Sequence, residues 1–348
     1  MSSEKMKCCY FPTTTIFIDD DWDFLVLSSM KLEKNAPCKL FKDPVAALEY
    51  INHDYTTQPF YKKFFTKPSY GDAEDNRTVS VDYTKIYQQI YDPNRFSEIT
   101  GILVDYAMPG LTGRDFCKIA LSSCDWRNWN NIILLTGEST LEVATEMIQE
   151  RLINGYIFKG DSNYVRKLAG IVSDRQAEYF EQNSELFLDL MMDASGPEEG
   201  HSACFKNPDY IHFFYQMVER YKPIEYYLID QSGSYIFLNE HGTVSWLIVQ
   251  NEADMEAAEF DMSMQENVPV DLKQAIKERK ALRYYFSEFP ESPTTPEEWQ
   301  KVIYPASRIE GASNYYYSFI EKPLVKTFIE HDKIASYSAF RAARPRVV

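Results

Sequence analysis

Gly101-Ile-Leu-Val-Asp105-Tyr-Ala-Met-Pro109-Gly-Leu-Thr-Gly113 is a short apolar strand that ends on one carboxylate and then turns sharply through Met-Pro-Gly. Three other segments end in a comparable way. Ile16-Phe17-Ile18 runs into Asp19 and Asp20, Ile132 to Leu135 into Thr136-Gly137, and Gly155-Tyr156-Ile157-Phe158 into Lys159. In an open parallel sheet, ligands bind outside the carboxyl ends of the strands. The pattern therefore predicts that acids, a hydroxyl and an ammonium converge on one shallow pocket at that edge.

The chemistry of such a pocket is coherent. Carboxylates crowded together repel one another, and a divalent cation relieves the repulsion; Mg2+ suits one or two carboxylates supplemented by waters and phosphoryl oxygens. With a metal present, Asp105 stays ionised and can attack a phosphoryl donor to form an aspartyl-phosphate. Lys159 is placed to pair with the transferred group and the Thr136 hydroxyl to hydrogen-bond to it, where charge accumulates.

These segments together resemble the CheY-like receiver domain of two-component response regulators, over roughly the first half of the chain. The resemblance implies a doubly wound α/β domain with a five-stranded parallel sheet. It also implies that Asp19, Asp20, Asp105 and the backbone carbonyl of Ala107 are ligands for Mg2+ and that Asp105 is the phosphoacceptor. Thr136, Lys159 and the aromatic Tyr156 match the residues that sense the phosphoryl group, and a sensor histidine kinase or phosphotransfer protein is the expected donor. Two departures stand out. Gly160 occupies the position after the lysine where the family usually has proline, often behind a cis bond that costs about 3 kcal/mol before any other residue. Roughly eighty-five positions separate Asp20 from Asp105, about forty more than a receiver needs, and so long a loop is usually functional or disordered. Within the insertion, placed at 53–98, the spacing Tyr83, Ile86, Tyr87, Ile90 predicts an amphipathic helix, either covering a core or docking a partner.

With 348 residues the chain has room for two domains. We place the receiver at 10–172, a connecting helix and linker at 173–200, an output domain at 201–335 and a basic tail at 336–348. No apolar run approaches the roughly 20 residues of a membrane-spanning helix, and Met1 to Tyr10 lacks the apolar stretch of a signal peptide. A cytoplasmic protein is expected. Its six cysteines, Cys8, Cys9, Cys38, Cys117, Cys124 and Cys204, lack zinc-ligand spacing and read as reduced, small hydrophobic residues. His331-Asp332 reads as a helix cap or surface pair.

The formal charge of −16 opposes nucleic-acid binding, which needs a basic face to displace counterions. Residues 193–348 hold 16 Lys+Arg against 24 Asp+Glu, a net charge of −8, and show no helix-turn-helix with a basic recognition helix. Direct DNA binding is not expected, and Arg341, Arg344 and Arg346 read as a loose solubilising end. Asn163 to Met192 predicts one long helix with an apolar line through Val165, Leu168, Val172, Tyr179, Leu186 and Leu190, which packs either within the chain or between two protomers. It should stop at Ala-Ser-Gly-Pro-Glu-Glu-Gly200.

Beyond the linker, Glu225 to Asp230, Ser234 to Asn239 and Thr243 to Val249 form an antiparallel meander. Helices are expected at Glu252 to Phe260 and Leu272 to Lys280, and strands at Leu282 to Phe286 and Tyr315 to Ile320, giving an α+β output domain with an antiparallel sheet. This half carries no phosphate-binding loop and no cyclic-dinucleotide signature. The Tyr83 to Phe96 segment together with Glu225 to Asp230 resembles the response regulators of Lqs-type quorum sensing. The resemblance implies a quorum-sensing regulator that receives phosphate from sensor kinases and has an atypical output domain. We expect phosphorylation-controlled signalling, with a homodimer on phosphorylation and an output domain that binds a protein, RNA or small ligand. The alternative is a receiver-gated enzyme acting on nucleotides.

Overall fold

The computed structural model describes residues 5–32, 36–54, 63–64, 69–70, 77–78, 82–123, 131–137, 141–193, 201–286, 291–311 and 314–343. The chain forms two compact units, one of Phe11–Pro59, Pro93–Phe180 and Tyr337–Val348, the other of Met1–Tyr10, Phe60–Asp92 and Glu181–Ser336.

The first unit is built on five parallel strands, β1 (Thr14–Ile18), β2 (Cys38–Phe41), β3 (Ile99–Asp105), β4 (Ile132–Thr136) and β5 (Gly155–Phe158), in the order β2-β1-β3-β4-β5. Ile16, Ile18, Ile102, Val104, Ile132 and Leu134 point to one face, where α2 (Pro44–Glu49), α3 (Gly113–Ser123) and α4 (Leu141–Gln149) supply Ala47, Phe116, Ala120 and Met147. Phe17, Leu103, Ile133, Leu135 and Ile157 point to the other, against Leu25 of α1 (Trp22–Leu32) and Leu168 and Val172 of α5 (Tyr164–Asp193). A sheet covered on both faces requires apolar residues at successive positions, and that is why these strands read as continuous apolar runs.

α5 is a single 30-residue helix, but its buried line differs from the predicted one. Val165 is exposed and Tyr179 only half-buried, whereas Tyr164, Leu168, Val172, Gln176, Phe180, Ser184 and Leu188, each four residues on, are all buried. A four-residue step overshoots one helical turn by about 40°, so the buried line winds around the helix. Residues up to Phe180 belong to one unit and those from Glu181 to the other. The side chains of Leu186 and Leu190 lie outside the described residues.

In the second unit, α6 (Pro208–Tyr221) precedes the meander β6 (Glu225–Leu228), β7 (Tyr235–Leu238) and β8 (Val244–Asn251). α7 (Glu252–Ser263) and α8 (Val270–Lys277) follow, then β9 (Ala281–Arg283), β10 (Ile303–Pro305), β11 (Ser307–Arg308) and β12 (Tyr315–Ile320). The main sheet is antiparallel, in the order Cys9–Tyr10, β6, β7, β8, β12, β11. β9 is shorter than the predicted Leu282 to Phe286, because after Arg283 the chain leaves the ladder and Phe286 packs edge-on against Trp246 at 4.8 Å. α8 starts two residues earlier than predicted and ends at Lys277, where Arg279 turns back with φ 56°.

The helix in the long insertion spans Tyr83–Tyr91, capped by Asp82 accepting from Lys85 N at 3.2 Å. Ile86 and Ile90 are buried, and the Tyr87 ring lies 4.4 Å from that of Phe328. The insertion helix therefore covers the core of the second unit. Residues 341–343, expected in a loose tail, belong to a helix Tyr337–Ala343 whose first residue is buried against Phe96 at 5.2 Å; Arg344 and Arg346 lie outside the described residues. Cys8, Cys9, Cys117 and Cys204 are buried free thiols and Cys38 a half-buried one, as expected of small apolar residues, while Cys124 lies outside the described residues. His331-Asp332 lies exposed in a short 3-10 turn. Among the described residues, no helix is long and apolar enough to cross a membrane.

Candidate phosphoacceptor and metal site

The strand order reverses direction between β1 and β3, so the loops after these two strands diverge and leave a crevice at their carboxyl ends. Asp19 follows β1 and Asp105 is the last residue of β3. The turn after Asp105 depends on two glycines. Gly110 sits at φ 81°, and a Cβ on Gly113 would stand 2.4 Å from the Asp105 carbonyl oxygen. Only glycine lets α3 start that close to the strand. The Gly113 N–H donates to the Tyr106 carbonyl at 3.0 Å, and the Ala107 N–H donates to Asp105 Oδ2 at 2.9 Å. On the β1 side, Asp19 Oδ1 accepts from Asp21 N, and Asp21 caps α1 by accepting from Phe24 N, both at 3.0 Å.

Asp19, Asp20 and Asp105 each bring a carboxylate oxygen within 4.8 Å of the others. Lys159, one residue past β5, places its Nζ 2.7 Å from Asp19 Oδ2 and 2.6 Å from Asp105 Oδ1. Burial raises the pKa of Asp19, against the pull of Lys159, and the nearby Asp105 adds to the rise. Burial disfavours the charged Lys159, yet its contacts with Asp105 and Asp19 raise its pKa overall. Three carboxylates thus face one ammonium. That excess of hard oxygen donors fits a small divalent cation such as Mg2+.

Thr136 ends β4 one position beyond the Asp105–Leu135 pair, and its hydroxyl donates to the Gly137 carbonyl at 3.0 Å. Tyr156, on β5, is 39% exposed. The Lys159–Gly160 bond is trans, since the described residues contain no cis peptide, and a Cβ at Gly160 would lie 2.6 Å from Phe158 Cζ. Two participants escaped the sequence reading. The Phe24 ring lies 4.6 Å from Lys159 Nζ, and Asp21 organises the acidic loop. A run of three aspartates before a helix signals a cap at Asp21, but nothing local to Phe24 marks its contact with a lysine so far along the chain.

Along its whole length the chain is similar to the response regulator LqsR of Legionella pneumophila, with a TM-score of 0.71, 26% identity, and 98% of this chain and 97% of that one covered. The chain has the response-regulator architecture. The chain also aligns with receiver domains. These include that of Francisella response regulator 1452 (18% identity, TM-score 0.31, 48% of this chain and 98% of that one) and a CheY-like receiver of Methanospirillum hungatei JF-1 (14%, 0.33, 49% and 98%). No family model and no curated protein matches it. The Lqs-type likeness of the sequence agrees with the full-length neighbour.

Proposed function

We propose that this regulator accepts a phosphoryl group on Asp105 from a sensor histidine kinase or phosphotransfer protein in a Mg2+-dependent step. In this reading phosphorylation then alters dimerisation or the interactions of the second unit, in quorum-sensing or gene-expression control in the cytoplasm. The observation that carries the proposal is the contact of one ammonium, Lys159, with both Asp19 and Asp105 beside Asp20. Mg2+ bound by Asp19, Asp20, Asp105 and the Ala107 carbonyl would neutralise the carboxylates and the incoming phosphoryl oxygens. An Asp105 carboxylate oxygen attacks phosphorus as the P–N bond to the donor imidazole breaks, and the imidazole leaves with the bonding pair and takes up a proton. Lys159 exchanges a carboxylate contact for a phosphoryl oxygen, the Thr136 hydroxyl turns from Gly137 to another, and Tyr156 moves in behind it.

The new charge acts only by favouring one of two existing packings. The test is intact mass after acetyl phosphate with Mg2+, paired with light scattering in beryllofluoride, for the native chain and Asp105→Asn. One added phosphoryl group and a Mg2+-dependent change in mass or shape, both absent from the variant, are expected. Equal labelling of both proteins would overturn the assignment.

A further inference from the structure

Within the second unit, the N-terminal segment, the second half of α5, the 3-10 segment His201–Lys206 and the start of α6 line an open cavity of about 520 Å3 that takes no part in the Asp105 chemistry. Its volume is that of a small-molecule site. Met6, Leu188 and Phe205, all buried, and the half-buried Ile211 are among its lining residues.

The charges around the cavity cancel in pairs. Lys5 lies 3.1 Å from Glu185, and Lys206 lies 3.1 Å from Asp189, with all four side chains more than half exposed. Glu181 is held at 2.9 Å by Lys7, and His212 Nε2 lies 2.9 Å from Gln216 Nε2. With its rim charges paired, the cavity offers neither an anionic nor a cationic head an unmatched partner. A neutral head meets both donors and acceptors at the rim while its apolar part covers Met6, Leu188 and Phe205.

We propose that this cavity binds a neutral amphipathic small molecule, an apolar chain ending in a hydroxyl or carbonyl. Four of the lining residues, Glu181, Glu185, Leu188 and Asp189, come from α5, the helix that also gives Leu168 and Val172 to the receiver core. An occupant is therefore in contact with a helix shared by both units.

The test is calorimetric titration of the full chain with decan-1-ol, decanoate and decylamine, three probes of one length and three charges. Decan-1-ol is expected to bind one per chain and to weaken by at least about tenfold in Ile211→Trp, which fills the cavity. Leu324→Ser, which removes an exposed leucine that does not line the cavity, should bind as the native chain does. A second variant, Lys206→Glu, leaves the rim acidic and should shift the preference towards decylamine. No binding of decan-1-ol, tighter binding of either ion to the native chain, or a preference unmoved by Lys206→Glu would each overturn the proposal.

Discussion

Lys159 Nζ lies 2.6 Å from Asp105 Oδ1, an ion pair with the lysine a quarter exposed and the aspartate almost wholly buried. The ammonium holds together carboxylates that would otherwise repel. Lys159→Met removes it, leaving the buried Asp19 and Asp105 without a counter-charge. We expect a loss of about 1–3 kcal/mol in urea unfolding without metal, most of it recovered in Mg2+. Native stability without Mg2+, or no response to it, would contradict the picture of a cation-seeking site.

Asp230, in the hairpin between β6 and β7, accepts from Ser234 N at 2.8 Å, and burial raises its carboxyl to about 6, with Asp254 contributing. The folded chain holds this proton more tightly than the unfolded one. The stability linked to it is therefore complete below the ordinary value of 3.8 and is lost as pH rises towards about 6. Asp230→Asn keeps the acceptor and removes the charge. It should stabilise by about 1–2 kcal/mol above pH 7 and by nothing below pH 4, as read from unfolding curves at both pH values. Equal effects at the two would refute the linkage.

Lys7 is almost fully buried, 2.9 Å from Glu181 and 3.1 Å from the Tyr215 hydroxyl. Burial opposes its charge, but Tyr215 and Glu181 raise its pKa overall. The stability from this pair is present below the ordinary lysine value of 10.5 and is lost as pH rises through the folded value. At pH 8, Glu181→Gln should cost about 1–3 kcal/mol, while Lys7→Met with Glu181→Leu should cost much less, because the buried pair is then replaced by apolar contact. The comparison needs only denaturant midpoints, and a double variant worse than the single would sink it.

The insertion helix is predicted to be structural. Ile90→Ala should destabilise by about 2–4 kcal/mol, as for other buried large-to-small changes. Tyr87→Ala and Phe328→Ala should be coupled by about 0.5–1.5 kcal/mol in a double-mutant cycle. Additive effects would mean that the Tyr87–Phe328 contact contributes nothing of its own.

The receiver sheet and its edge were legible in the sequence because they rest on local rules. Ile16, Phe17 and Ile18 are apolar in succession because a parallel strand is buried on both faces, and Asp19, Asp105, Thr136 and Lys159 stand where each strand stops. The meander likewise announced itself through its turns. The offset of the α5 line, the fit of the insertion helix to Phe328, the burial of Tyr337 against Phe96 and the seat of Phe24 beneath Lys159 were not legible. Each depends on which surface arrives from a distant part of the chain. Periodicity reports that a helix has an apolar side, but the tertiary structure alone decides what covers it and in which register.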